Sequence, residues 1–268
     1  MNNGVRLRLI VHNILYDIYK YNKTIDDTKI TNIISKNNQK DIGFINTICL
    51  NTMRYQFHTK NILKKYVKKN PKIHEKILLS AAITQIVFLD FKEYAVIDTS
   101  VEVAKKLNLF HGFINACLKN ICRDKKNLKK IDIDFKDLPL WFIKKTSDWD
   151  KLNKKNFLEK FYKKPSIHIV FKKNEYLLSF DKKLIKTSSR SGFLDEKIKI
   201  ENIKSYLDGH WWIQDFSSSL PLIDISTTLL KGKIIDLCGA PGGKSFQVLS
   251  MGKEIVVNDI NKKRIEKK

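Results

Sequence analysis

Cysteine is scarce in this 268-residue chain: the four present, Cys49, Cys117, Cys122 and Cys238, show no disulfide-framework spacing. That excludes a disulfide-stapled secreted scaffold. Ten glycines and five prolines exclude collagen-like and low-complexity architectures. Long hydrophobic runs are missing too. The longest weakly polar stretch, Ile77 to Leu89, is interrupted by Ser80, Thr84 and Gln85 and falls short of the ~20 residues a spanning helix needs. The six histidines have no ligand spacing, and Cys117 and Cys122 lack a second pair, so no metal site is expected. Together these absences predict a reduced, cytoplasmic protein without a membrane segment.

Acidic residues are also in deficit, with 28 Asp and Glu against 51 Lys and Arg, a formal net charge of +23. Such a charge favours a polyanionic partner, nucleic acid ahead of an anionic membrane surface. Of the basic residues 45 are Lys, however, and a chain rich in Lys, Ile and Asn also reflects AT-rich coding, which requires no partner. The charge is uneven. Residues 151–200 carry 14 basic and 5 acidic side chains, whereas residues 201–268 carry 10 and 8. For the middle stretch, an RNA-tracking surface and a merely solvated lysine surface both stay open.

Hydrophobic residues make up 43% of the chain, enough for a sizeable core. Leu7, Ile10, Val11, Ile14, Leu15 and Ile18 recur at helical spacing, as do Ile77, Leu78, Ala81, Ala82, Ile86 and Leu89. Further helices are predicted over Glu93 to Lys106 and Gly112 to Asp124. Strand signals are rare before residue 130, so residues 1–130 read as an all-helical domain. Residues 131–210 read as a basic α+β segment, with a helix over 151–161 and a short strand over 166–171. Residues 211–268 read strand, loop, helix, strand, helix: Lys233 to Leu237, Ser245 to Met251, Glu254 to Val257, and a last helix near Arg264. The expected fold is therefore multidomain, α followed by the opening of a doubly wound α/β domain.

The stretch Asp236-Leu237-Cys238-Gly239-Ala240-Pro241-Gly242-Gly243-Lys244-Ser245 carries the chemistry. A glycine-rich turn between strand and helix lets backbone N–H groups approach a polar or anionic ligand. Gly243-Lys244-Ser245 fits the end of a phosphate-binding P-loop, but that pattern wants glycine where Cys238 stands, and the dinucleotide pattern G-x-G-x-x-G fails as well. An S-adenosylmethionine-type loop remains, with Asp259 at the end of the next strand placed to accept from ribose hydroxyls. Taken singly, Asp236 could be a turn residue and Asp259 a helix N-cap. The loop and the acid at this spacing argue against both.

Cys238-Gly239-Ala240-Pro241-Gly242-Gly243-Lys244 closely resembles the first motif of the Nol/Nop/Sun RNA cytosine-5 methyltransferases, usually C-A-A-P-G-G-K, departing from it at Gly239. Gly209-His210-Trp211-Trp212-Ile213-Gln214-Asp215-Phe216-Ser217-Ser218 is similar to the segment preceding that motif, and Asn258-Asp259-Ile260 with Arg264 to the one following it. Tyr94 to Lys106 and Gly112 to Leu118 resemble a NusB-type helical RNA-binding domain. The pairing resembles small-subunit rRNA methyltransferases of the Sun/Fmu type. The resemblance implies an S-adenosylmethionine-dependent enzyme acting on C5 of a cytosine in small-subunit (16S) ribosomal RNA. It also implies that Cys238 to Lys244 surround the methionine part of the cofactor, that Asp259 meets its ribose, and that the NusB-like domain and basic middle hold rRNA.

C5 of a neutral cytosine is a poor attacking centre until a cysteine thiolate adds to C6. The family's cysteines stand in Thr-Cys-Ser and Asp-Ala-Pro-Cys motifs, and neither motif occurs here. Cys238 belongs to the cofactor loop, while Cys49, Cys117 and Cys122 lie on apolar helical stripes and read as core. No catalytic residue is therefore assigned. The expectation is an N-terminal portion of a longer enzyme, inactive alone. The alternative is a non-catalytic NusB-like RNA-binding protein with a vestigial methyltransferase tail.

Overall fold

The computed structural model describes residues 2–25, 27–68, 70–195, 200, 203–223 and 225–265. It divides into two compact units, Met1–Lys163 and Lys164–Lys268.

The first unit is built of helices: α1 (Asn3–Tyr21), α2 (Thr28–Ser35), α3 (Gln39–Arg54), α4 (Gln56–Tyr66), α5 (Ile73–Ile83), a π-helical turn (Thr84–Phe88), α6 (Glu93–Lys106), α7 (His111–Arg123), α8 (Lys125–Leu128), α9 (Leu140–Lys145) and α10 (Lys151–Phe161). Its centre is α5. Ile77, Leu78, Leu79, Ala81, Ala82 and Ile83 are all buried, so this helix is apolar nearly all round, as a helix enclosed on every side must be. Ile77 and Ala81 face one core, with Leu7, Val11, Ile14 and Leu15 of α1 and Ile45 and Ile48 of α3. Leu78, Leu79 and Ala82 face a second, with Val96 and Val103 of α6 and Ile114, Leu118 and Ile121 of α7. The stripes read from the sequence on α1, α5, α6 and α7 are these buried faces.

Residues 131–163 pack with this helical unit, whereas the sequence pattern ends the all-helical domain at residue 130. The reason is side-chain contact with α4: Asn61 Nδ2 donates to Asp137 Oδ2 at 2.8 Å, and the Tyr162 ring lies against Tyr55 and His58. Phe135, Phe142, Trp149 and Phe157 gather in their own aromatic cluster.

The second unit holds a four-stranded antiparallel sheet in the order β2-β3-β1-β4, formed by β1 (His168–Phe171), β2 (Leu184–Ser188), β3 (Ser191–Leu194) and β4 (Trp211–Ile213). Ile169, Phe171, Leu194 and Trp211 make its core, covered by Leu177 of α11 (Asn174–Leu178) and Tyr206 of α12 (Lys204–Leu207). Buried His168 ties three strands together. The Gln214 carbonyl can only accept, so His168 Nδ1–H donates to it at 2.8 Å, leaving Nε2 to accept from the Thr187 hydroxyl at 2.9 Å. After β4 come α13 (Phe216–Ile223), β5 (Ile234–Asp236), α14 (Gly243–Ser250), β6 (Ile255–Val257) and α15 (Lys262–Ile265). β5 and β6 pair in parallel, Ile234 opposite Ile255 and Asp236 opposite Val257, with α14 as the crossover between them.

Candidate functional site

The glycine-rich loop runs from the end of β5 into the start of α14. Two ladder-like bonds close its base: Asn258 N donates to Asp236 O at 2.8 Å, and Gly239 N donates to Asn258 O at 2.9 Å. Above them, Ala240 N donates to Asp259 Oδ2 at 3.0 Å. Asp236, last residue of β5, accepts from Ser245 Oγ at 2.7 Å and so joins the strand end to the helix start. Gly242 takes φ +109°, a left-handed conformation that disfavours any side chain. The first N–H groups of α14, beginning at Gly243, have no acceptor within the helix and face the loop side.

A cleft of about 240 Å³ opens at this loop. Cys238, Gly239, Ala240, Pro241, Gly243 and Lys244 line one side, with Asp236 at the base. Ile213, Gln214, Asp215 and Ser218 line the other. Asp259 is not among the lining residues: Oδ2 holds the loop through Ala240 and Oδ1 accepts from Asn261 N at 2.8 Å. The structure thus brings Cys238, Gly239, Ala240, Pro241, Gly243 and Lys244 to one cleft, with Gly242 in the turn and Asp259 behind it as a brace.

In the sequence the opposite wall is legible only as a family-like segment, and its polar network leaves no signal there. Buried Gln214 donates through Nε2 to Gln247 Oε1 at 2.7 Å and accepts from Trp212 Nε1 at 2.9 Å. Gln247 Nε2 in turn donates to Ser219 O at 3.1 Å, locking α14 to α13. Gly243 sits directly on Gln214, whose Cγ and Cδ a side chain at 243 would meet at 3.1 Å. Lys244 Nζ donates to Ser218 Oγ at 3.0 Å across the cleft mouth. A cleft with backbone donors, one ammonium and the carboxylates of Asp215 and Asp236 suits a zwitterionic ligand with a polar rim.

The other cysteines lie elsewhere. Cys49 and Cys117 are buried, and burial pushes their thiols up to about 12 and about 11. Burial first, and Glu93 second, pushes the half-buried Cys122 up to about 11. Cys238 is exposed in the loop. Among the described residues, no three His, Cys, Asp or Glu side chains come together as a metal site, and no helix is long and apolar enough to cross a membrane.

Within the helical unit, residues 6–123 match the model of the NusB family. The relatives extend further along the chain. It is 25% identical over 253 residues to the ribosomal RNA small subunit methyltransferase B of Shewanella oneidensis, covering 85% of this chain and 57% of that protein. To the protein of the same name from Vibrio vulnificus it is 22% identical over 288 residues, covering 98% of this chain and 66% of that one. A shorter match, 34% identical over 83 residues, joins 29% of this chain to 10% of the 28S rRNA (cytosine-C(5))-methyltransferase of Mus musculus. The crystal structure of PH0851 shares the fold, with a TM-score of 0.58 at 13% identity, covering 98% of this chain and 64% of that one. The chain is therefore similar to the NusB family over residues 6–123 and, over most of its length, to ribosomal RNA small subunit methyltransferase B proteins, spanning 57% and 66% of these two relatives.

Proposed function

We propose that this chain supplies the RNA-holding and cofactor-holding parts of an S-adenosylmethionine-dependent methyltransferase that modifies C5 of a cytosine in small-subunit ribosomal RNA, working in the cytoplasm. The observation that carries the reading is the glycine-rich loop between two parallel strands, braced by the acid just past the second. This arrangement suits the opening of a Rossmann-like methyltransferase domain over residues 211–268, following a NusB-like domain over 1–130 and a basic middle over 131–210. The names of the relatives support the same reaction.

The residues present fit the cofactor. Glycine at 243, where a side chain would press on Gln214, and left-handed Gly242 keep the loop backbone bare. Cys238 to Lys244 would surround the methionine part of the cofactor, with its carboxylate toward the N–H groups at the start of α14. Asp236 and Asp215 offer acceptors to its ammonium group. Asp259 would meet the ribose while bracing Ala240. When bound, the cofactor supplies an electrophilic methyl group. None of the four cysteines is assigned as the nucleophile, since three are buried or half-buried thiols and Cys238 belongs to the cofactor loop. We accordingly assign binding, not turnover, to these 268 residues by themselves.

Calorimetric titration with S-adenosylmethionine and, separately, ATP tests the reading. S-adenosylmethionine should bind and ATP should not. The reverse order would turn the loop into a P-loop. Methyl transfer from labelled cofactor to small-subunit rRNA should stay at background for this chain.

A further inference from the structure

Every polar group of buried Gln214 is bonded within the second unit. Its backbone N–H donates to His168 O at 3.1 Å, and its carbonyl accepts from His168 Nδ1 at 2.8 Å, which fixes the residue to β1. The side-chain amide reaches three further places. Trp212 Nε1 donates to Oε1 at 2.9 Å, while Nε2 donates to Gln247 Oε1 at 2.7 Å and to Ser218 O at 3.3 Å. Gln247 Nε2 continues the chain to Ser219 O at 3.1 Å.

The direction of this chain is set by its ends. An indole N–H only donates and a backbone carbonyl only accepts, so neither amide can be reversed without losing its bonds. A buried amide satisfied on all sides holds a single orientation. The position of Gln214 gives that fixity a use. It lines the cofactor cleft, and its Cγ and Cδ lie 3.1 Å from the point at which a side chain on Gly243 would begin. Gly243 is the first residue of α14, and Gln247 follows one turn later on the same helix. One side chain therefore supports the helix start by contact and holds its next turn by a hydrogen bond.

The N–H groups of that first turn have no acceptor within the helix and form its positive dipole end, toward which the carboxylate of a bound methionine moiety would lie. Charge-assisted hydrogen bonds are short and depend on alignment, so a tilt of the first turn weakens them. Asp259, by contrast, braces the loop at Ala240, on the side given to the ribose. The two ends of the cleft thus have separate supports. We propose that Gln214 is a positioning residue for the methionine half of the cofactor. Aligned by Trp212 and Gln247, it sets the first turn of α14 toward the cofactor's carboxylate and leaves the adenosine half to the Asp259 side of the loop. The proposal rests on the reading of the cleft as an S-adenosylmethionine site and divides that site between its two ends.

The full 268-residue chain is titrated calorimetrically with S-adenosylmethionine and with 5′-methylthioadenosine, which keeps the adenosine and the thioether sulfur but lacks the amino and carboxylate groups. Gln214→Met keeps the side chain's length and removes all its hydrogen bonds. It should lower S-adenosylmethionine affinity by about 10- to 150-fold, as misaligned hydrogen bonds to a charged group would, and leave 5′-methylthioadenosine affinity as in the parent chain. Trp212→Phe keeps a ring beside Phe246 but removes the indole donor, and should give a smaller loss in the same sense. It carries the test if Gln214→Met does not fold, with far-UV circular dichroism reporting the fold. A merely structural role would lower both affinities by one factor, and that result would overturn the proposal. Parent affinity for both ligands in every variant would overturn it too. A parent chain that binds S-adenosylmethionine but not 5′-methylthioadenosine has no separate adenosine end, which refutes the division of the cleft. Failure of the parent chain to bind S-adenosylmethionine would overturn the cofactor reading itself, and the proposal with it.

Discussion

Ala240 donates its backbone N–H to Asp259 Oδ2 at 3.0 Å, so an acid just past the end of β6 holds the crown of the loop that follows β5. The same carboxylate accepts from Asn261 N through its other oxygen. Asp259→Ala removes both bonds and the proposed ribose acceptor. The loss should cost about 1–3 kcal/mol, roughly 5- to 150-fold in S-adenosylmethionine affinity. Asp259→Asn keeps one acceptor oxygen and should lose less. Gly242→Val forces a β-branched residue into φ +109° and should also impair binding. Calorimetry showing parent affinity for both Asp259→Ala and Gly242→Val would remove the cofactor site from this loop.

Gly239 departs from the alanine usual at this position of the motif, and the structure supplies a reason. A Cβ there would run into Val257 Cγ1 and press on Asp236 Cγ at 3.1 Å. Gly239→Ala should therefore destabilise the second unit by about 1–3 kcal/mol, as overpacking does. Val257→Ala alone costs some burial but vacates the space. The double variant should be more stable than the sum of the single effects, and a thermal-unfolding double-mutant cycle reads that coupling. Strict additivity would show that Val257 is not what keeps residue 239 small.

What the sequence disclosed follows from how local each signal is. α6 over Glu93–Lys106 and α10 over Lys151–Phe161 were legible residue for residue, because helical periodicity is written in consecutive side chains. The loop and both parallel strands were legible from Gly242, Gly243 and the apolar runs beside them. Of the four-stranded sheet only β1 was legible, as a short strand over 166–171. Its β2–β3 hairpin turns at Ser189–Arg190 without the Asn-Gly or Asp-Gly that marks tight hairpins, and its strands are three to five residues long. Nor did the sequence reveal Gln214 against Gln247, a pairing across 33 residues that only tertiary packing creates.

Lys163, Lys164, Lys172 and Lys173 are exposed and fall in the stretch of densest positive charge. If they follow phosphates, neutralising all four should flatten the salt dependence of hairpin binding by about 0.7–0.9 in log–log slope per lost contact. An unchanged slope would make them a solvated surface only.

Burial pushes His12, His58 and His168 below the ordinary imidazole value of 6.5; for His168 the Gln214 carbonyl and Asp215 pull part of the way back. Their lowered folded values mean the unfolded chain takes up protons first as pH falls. Stability should thus be full above the unfolded value of 6.5 and decline as pH drops from there through the lowered folded values. The slope is bounded at about 1.4 kcal/mol per pH unit for each histidine. Urea midpoints at pH about 7.5 and about 5.5 should differ in that sense, and His168→Gln should reduce the difference. A midpoint that rises on acidification would contradict the assignment.

Backbone protection should be graded between the two units. In α5 and α7, Leu79, Ile83, Ile114, Leu118 and Ile121 are fully buried, so opening their hydrogen bonds requires breaking the helical core. In β5 and β6, by contrast, Ile235 is 58% and Val256 62% exposed, and the pairing is a single parallel ladder of three residues each. Amides whose opening breaks few buried contacts exchange through local fluctuations rather than global unfolding. Hydrogen exchange followed by mass spectrometry should therefore find residues 234–236 and 255–257 exchanging well before those of α5 and α7. Adding S-adenosylmethionine should slow exchange around 238–245 and in both strands, because a ligand that binds only the closed loop stabilises every contact the loop requires. Protection of β5 and β6 equal to that of α5 before any ligand is added would show that the parallel pair is as firmly built as the helical core.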